Sequence, residues 1–145
     1  MKKRCEWAKD EPNTTYHDDE WGVPLHDDVG LFEFLILEGA QAGLSWRTIL
    51  NRRDGYRIAF SNFDVVAVSK YTQNHVKKLL QNKDIIRNKL KINSAINNAK
   101  QFVKIQQEFG SFDEYLWGFV NHKPIKNKFK KHSDLACSSI ISEKL

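Results

Sequence analysis

An all-α domain is the fold class predicted by three features of the chain. Apolar residues recur at helical spacing through Ile92, Ala95, Ile96, Ala99, Phe102, Val103 and Phe109, with Asn97, Asn98, Lys100 and Lys104 on the other side. Ser, Thr or Asp stands just before several short apolar runs, where a side-chain oxygen can satisfy the free N–H groups of a helix start. Strand material is short, and no internal repeat or low-complexity tract is present. The 145 residues suit a single domain, 1–145, built around one core.

Taken in order, an irregular aromatic N-terminal stretch precedes an apolar helix from about Val29 to Glu38. Ser45 caps a helix through Trp46, Ile49 and Leu50, and Asp54-Gly55 ends it. A further turn covers Tyr56 to Phe60; Asp64 caps Val65 to Val68, and Thr72 caps a helix carrying Val76, Leu79 and Leu80. The long helix is stopped by Gly110. Ser111-Phe-Asp-Glu114 is a capping box that opens a helix with Phe112, Tyr115, Leu116, Phe119 and Val120 on one face, and Pro124 lies beyond its end. From Lys126 the chain is polar and basic, with Ser133-Asp134 before Leu135, Ile140 and Ile141 the one sign of a last helix.

Hydrophobic residues at 41%, with 7 Gly and 3 Pro, exclude disordered and fibrous classes. Lys and Arg outnumber acids 23 to 18, which favours a polyanionic partner. The bases crowd at Lys77, Lys78, Lys83, Arg87, Lys89 and Lys91, and again at Lys123, Lys126, Lys128, Lys130 and Lys131. Met1-Lys-Lys-Arg4 is followed by Glu6, Lys9 and Asp10 where an export signal needs an apolar core, and Glu33 and Glu38 interrupt the best membrane candidate. A cytoplasmic protein with no membrane partner is expected. Cys5 and Cys137 are too few for a disulfide framework, leaving them as thiols or metal ligands.

The most informative segment is Glu38-Gly-Ala-Gln-Ala-Gly-Leu-Ser-Trp46. On a 3.6-residue period Glu38 shares a stripe with Leu31, Phe34 and Leu35, so the carboxylate is expected to point inward. A buried acid needs a partner, a proton or a ligand, and a ligand cavity is the functional option. Tyr16-His-Asp-Asp-Glu-Trp-Gly-Val-Pro24 packs two aromatics, a histidine and three acids into what reads as a loop. Cys5 and His17 are compatible with zinc but match no zinc-finger spacing, and His132 with Cys137 is an awkward ligand pair for one helix face. Leu80 to Ile92 has the layout of a helix-hairpin-helix, in which exposed N–H groups and basic side chains hold phosphate. Lys83-Asp84 stands where glycine normally frees the turn; a plain αα-corner is the other reading.

Taken together, Tyr16-His17, Trp21-Gly-Val-Pro24, Glu38-Gly, Gln41-Ala-Gly-Leu-Ser-Trp46, Ile85-Ile-Arg87, Asn98-Ala99 and Phe119-Val-Asn121 resemble the 3-methyladenine DNA glycosylase I family nearly end to end. The resemblance implies a monofunctional helix-hairpin-helix glycosylase, monomeric, acting on double-stranded DNA that contains alkylated adenine. Such an enzyme flips out N3-methyladenine and hydrolyses its N-glycosidic bond to leave an abasic site. In that picture Glu38 is the catalytic carboxylate, accepting a hydrogen bond from the exocyclic amine and favouring the cationic base. Trp46 stacks on the base, Tyr16 closes its polar edge, and Trp21 belongs to the same substrate site.

Further implications concern DNA and metal. Gln41, Gly43 and Leu44 would face DNA, with Leu44 as a wedge in the vacated stack, and Lys83, Arg87 and Lys89 would hold the backbone. The family carries structural zinc on an N-terminal Cys and His, matched by Cys5 and His17, and on a second His and Cys near the C-terminus. The chain stops after Ser139-Ile-Ile-Ser-Glu-Lys-Leu145, where the family continues into a helix bearing that second pair. The resemblance therefore implies a C-terminally truncated member with half a zinc site. An inactive truncated helical DNA-binding protein, without base excision, is the alternative.

Overall fold

The computed structural model describes residues 2–145, except for the side chain of His132; Met1 of the basic start lies outside the described residues. Among the described residues the chain is helical and contains no strand.

The N-terminal stretch departs from the irregular loop expected, because α1 spans Asn13–Asp19. It carries no apolar stripe, so periodicity gave no sign of it. Glu11 starts it: its carboxylate bonds the Thr14 hydroxyl and accepts from the Thr15 N–H at 3.3 Å. Tyr16 then packs against the partly exposed aromatics of neighbouring elements.

Helix α2, Asp28–Gln41, begins where the Asp27 carboxylate accepts from the Gly30 N–H at 2.8 Å. It continues past Glu38, since the turn comes only at Gly43, whose φ of 78° suits glycine. Helices α3, Trp46–Asn51, and α4, Arg53–Ala59, follow. Ser45 caps α3 as expected, accepting from the Thr48 N–H at 3.2 Å. The predicted stop at Asp54-Gly55 is wrong: the chain breaks at Arg52, and Gly55 lies inside α4. Its reason is tertiary. A Cβ on Gly55 would lie 2.4 Å from the Asp84 carbonyl oxygen, so only glycine admits this approach.

After a left-handed turn at Ser61–Phe63, Asp64 caps α5, Val65–Ser69. Helix α6, Gln73–Leu79, opens with the Thr72 N–H donating to His75 Nδ1 at 3.0 Å. Helix α7, Lys89–Phe109, is the axis of the molecule and ends at Gly110, φ 88°. Its buried face, Ile92, Ala95, Ile96, Ala99 and Phe102, meets Phe32 and Leu37 of α2 and Phe60, Phe63 and Val68 beyond α4. Each Phe, Ile, Leu or Val side chain among these contributes roughly 1.5–3 kcal/mol by leaving water. Phe109, expected on that face, is exposed and packs at a tilt against Tyr115 instead, ring centroids 5.0 Å apart.

Helix α8, Phe112–Gly118, starts at Ser111, which accepts from the Glu114 N–H at 3.0 Å. Its second anchor is distant: the Asp28 carboxylate accepts from the Phe112 and Asp113 N–H groups, both at 2.9 Å, and from Gln106 at 2.8 Å. Helix α9, Ile140–Lys144, is capped by Ser139 and not from Ser133-Asp134, which form a 3-10 turn with residue 132.

Candidate functional site

The acid that α2 buries is Glu33, not Glu38. The buried stripe is Phe32, Glu33, Ile36, Leu37 and Ala40, whereas Glu38 is exposed. Leu31 and Phe34, which share the period of Glu38, line an open cleft, and Leu31 also packs against the core edge, whereas the Glu38 side chain is exposed and outside both. The inward position expected for Glu38 is therefore corrected to an exposed one. Even there, desolvation raises its carboxyl above the ordinary 4.5.

Glu33 escaped the sequence reading because its partners lie in another helix. It accepts from Arg53 Nε at 2.6 Å and from Arg57 Nε and Nη2, both at 3.0 Å. Arg53 also donates to both oxygens of Glu20, at 2.7 and 2.9 Å, and lies 5.1 Å over the Phe34 ring. Burial pushes the Glu33 carboxyl up, but the hydrogen bonds and charges of Arg57 and Arg53 together outweigh it and hold it below 4.5. The network locks the end of α1, where Glu20 sits, to α2 and α4.

Tyr16 stands at the centre of what this lock positions. Its ring lies 5.3 Å from Trp46, 6.3 Å from Phe34 and 6.1 Å from Trp7. Burial first, then the charges of Glu38 and Glu20, push its hydroxyl up to about 12, so it is a neutral donor flanked by carboxylates. The Trp46 indole N–H is buried without a partner among the described residues. Trp21 lines the adjacent cleft of about 560 Å³ with Tyr16, Leu31, Phe34 and Trp117. The structure thus brings Tyr16, Trp46 and Trp21 into one aromatic neighbourhood and places Glu38 within electrostatic reach of Tyr16. Trp7, absent from the sequence reading, joins them, 5.6 Å from Trp21; being outside any periodic segment, it gave no signal.

Cys5 and His17 also meet. The Cys5 N–H donates to His17 Nε2 at 3.3 Å, while His17 Nδ1 bonds Asp18 at 3.1 Å. A carboxylate behind an imidazole is the usual support for a metal-ligating histidine. Yet among the described residues no group of three or more His, Cys, Asp or Glu is placed to hold a metal, and Cys137 is exposed. The Cys5–His17 contact runs through the Cys5 backbone N–H and not its thiol, and the described residues do not make up a closed zinc site.

The turn from Gln41 to Leu44 is internally tied: the Gln41 side chain donates to the Leu44 carbonyl at 2.8 Å, and the Leu44 N–H returns to the Gln41 carbonyl at 2.7 Å. Gly43 is exposed and Leu44 half-buried at the core edge. Between α6 and α7, Lys83, Arg87 and Lys89 are exposed, and none forms an ion pair among the described residues. The missing glycine is explained by Asn82, whose side chain accepts from the Asp84 N–H at 2.9 Å, while no residue of this loop takes a positive φ. Arg52, at the joint of α3 and α4, donates to the Lys83 carbonyl at 2.6 Å and the Tyr56 hydroxyl of α4 accepts from the Ile86 N–H at 3.2 Å, so both hold the loop between α6 and α7 in place. Lys91, counted among the bases, is spent internally: its ammonium donates to the Ala40 and Ala42 carbonyls at 2.8 and 2.7 Å.

An all-helical fold with an aromatic slot rimmed by acid, beside a basic helix pair, belongs to a class that comparison with known proteins identifies. The sequence model of the methyladenine glycosylase family matches residues 7–145, and the chain belongs to that family. It is 40% identical over 144 residues to DNA-3-methyladenine glycosylase 1 of Escherichia coli (strain K12), covering 99% of this chain and 77% of that protein. The DNA-3-methyladenine glycosylase of Haemophilus influenzae is 41% identical over 128 residues, 88% of this chain and 69% of its own. A crystal structure of 3-methyladenine DNA glycosylase I superposes with a TM-score of 0.93 at 38% identity, covering 98% of this chain and 79% of that one. The Staphylococcus aureus enzyme, solved to explain 3-methyladenine recognition, gives 0.89 at 36% identity, with 92% and 71% covered. Among the described residues no helix is long and apolar enough to cross a membrane.

Proposed function

We propose that the chain is a monofunctional DNA glycosylase that releases N3-methyladenine from double-stranded DNA. The observation that carries this reading is Tyr16, a neutral hydroxyl packed against Trp46 and flanked by the charges of Glu38 and Glu20. Such a slot favours a flat, positively charged base over a neutral one. Methylation at N3 makes adenine cationic and its bond to deoxyribose weak, so the protein need supply less of the barrier than for an ordinary base. Trp46 stacks on the ring, Glu38 accepts from the exocyclic amine, Tyr16 donates at the polar edge, and Trp21 closes the side. The C–N bond breaks with its electrons retained by the base, which leaves neutral, and water adds to the sugar carbon and releases its proton to solvent. No lysine is needed as nucleophile, and Lys91, which stands nearest the turn, faces backbone carbonyls.

In the same reading the loop between α6 and α7 is a helix-hairpin-helix phosphate clamp, with Lys83, Arg87 and Lys89 as its cations and the Gln41-to-Leu44 turn inserting where the base has left. Cys5 and His17 form half of a structural zinc set, and the protein acts as a cytoplasmic monomer. The decisive experiment is release of free 3-methyladenine from methylated DNA by this chain, beside Glu38→Gln and Tyr16→Phe, with zinc content determined on the same sample. DNA binding without release would identify the alternative, a helical DNA-binding protein that excises nothing.

A further inference from the structure

Lys91 differs from every other lysine of the basic region in what it touches. It occupies the first turn of α7 beside the hairpin, yet its ammonium caps the far end of α2 through the carbonyls of Ala40 and Ala42. Those carbonyls belong to the last turn and the C-cap of the helix that carries Glu38. Residue 42 is also where the chain leaves α2 for the turn closed by Gln41 and Leu44. The last carbonyls of a helix lack intrahelical donors and carry its negative dipole end, and Glu38 adds a carboxyl to that end. A half-buried cation with two carbonyl acceptors is therefore fixed in place and fixes them in turn.

We infer that Lys91 is a positioning residue: it ties the phosphate-facing hairpin to the turn and acid that face the flipped nucleotide, setting their relative placement. This rests on the glycosylase reading above. Lys91 would then act on the chemical step without contacting DNA, unlike Lys89 on the same helical turn, which is exposed and has no ion-pair partner among the described residues.

The test compares base release from methylated duplex by the wild type, Lys91→Met, Lys91→Gln, Lys91→Arg and Lys89→Met, with free 3-methyladenine binding and circular dichroism on each. For Lys91→Met we expect kcat to fall about tenfold or more, as misplacement of reacting groups by a fraction of an ångström does. Its KM, the salt dependence of KM and free-base affinity should stay within about threefold of wild type. Lys91→Arg, which keeps two donors for the two carbonyls, should recover most of kcat. Lys89→Met should show the opposite split, with raised KM, unchanged kcat and a salt slope shallower by about 1. Should Lys91→Met fail to fold, the milder Lys91→Gln must show the kcat loss alone. An unchanged kcat in Lys91→Met or Lys91→Gln, or a Lys91 variant that behaves like Lys89→Met, overturns the inference. Absence of base release from the wild type overturns the glycosylase reading itself, and the inference with it.

Discussion

Replacing Gly55 with alanine sets two opposing effects against each other, and the structure decides between them. Within α4 the exchange gains about 1 kcal/mol of helix propensity. The new methyl, however, would lie 2.4 Å from the Asp84 carbonyl oxygen and 2.7 Å from its Cβ. Ordinary contact begins at 3.4 Å, so the hairpin must retreat by about 1 Å, against backbone and not against a flexible side-chain tip. Overpacking of that kind costs about 1–3 kcal/mol. The retreat also strains the Arg52 bond to the Lys83 carbonyl and the Ile86 bond to the Tyr56 hydroxyl, each worth about 1 kcal/mol. The net expectation is destabilisation by about 1–3 kcal/mol, lowering the thermal midpoint by about 3–10 °C for a chain of this size. Thermal unfolding followed by circular dichroism reads it directly, and duplex-DNA affinity measured in parallel should weaken. A midpoint raised by about 2–4 °C, the propensity gain alone, would refute the close approach of α4 to the hairpin.

Three further variants have definite expected outcomes. Glu38→Gln should weaken free 3-methyladenine binding about tenfold or more, by loss of a charge-assisted hydrogen bond, in a calorimetric titration. Because desolvation raises the folded pKa of Glu38, its ionised form costs stability above the ordinary 4.5 and nothing below it, so the same variant should melt slightly higher at pH 7 and unchanged at pH 4. Glu33 has the opposite sign: its pKa is lowered, so its contribution is complete above 4.5 and disappears as pH falls through the lower folded value. Glu33→Gln should cost about 3 kcal/mol at pH 7 in urea unfolding, with Glu20 left as the partner of Arg53, and should flatten the acid limb of the stability curve; an unaltered limb removes Glu33 from it. Cys5→Ser should lower zinc content measured by atomic absorption, whereas equal zinc in both proteins would exclude Cys5 as a ligand.

Local chemistry was readable in the chain wherever a few neighbouring residues set the outcome. The caps at Ser45, Asp64, Thr72 and Ser111, the stop at Gly110 and the buried face of α7 all lie where the spacing of side chains puts them. The strings around Tyr16, Glu38 and Trp46 were sufficient to indicate the family, because each is short, contiguous and rare. What tertiary structure alone decided is which face of a helix meets which neighbour. Periodicity put Glu38 on a stripe with Phe34 but could not say that Phe34 would line a cleft while Glu38 stays exposed, nor that Glu33, one stripe over, would be buried by two arginines more than 19 positions along the chain. The same holds for Gly55, which looks like a helix stop in sequence and is instead a contact point for Asp84. Lys91 resembles its basic neighbours until the end of α2 comes within 3 Å of its ammonium. A helical repeat specifies angles about one axis, whereas burial and ion pairing depend on distances between axes, and those are set only when the helices pack.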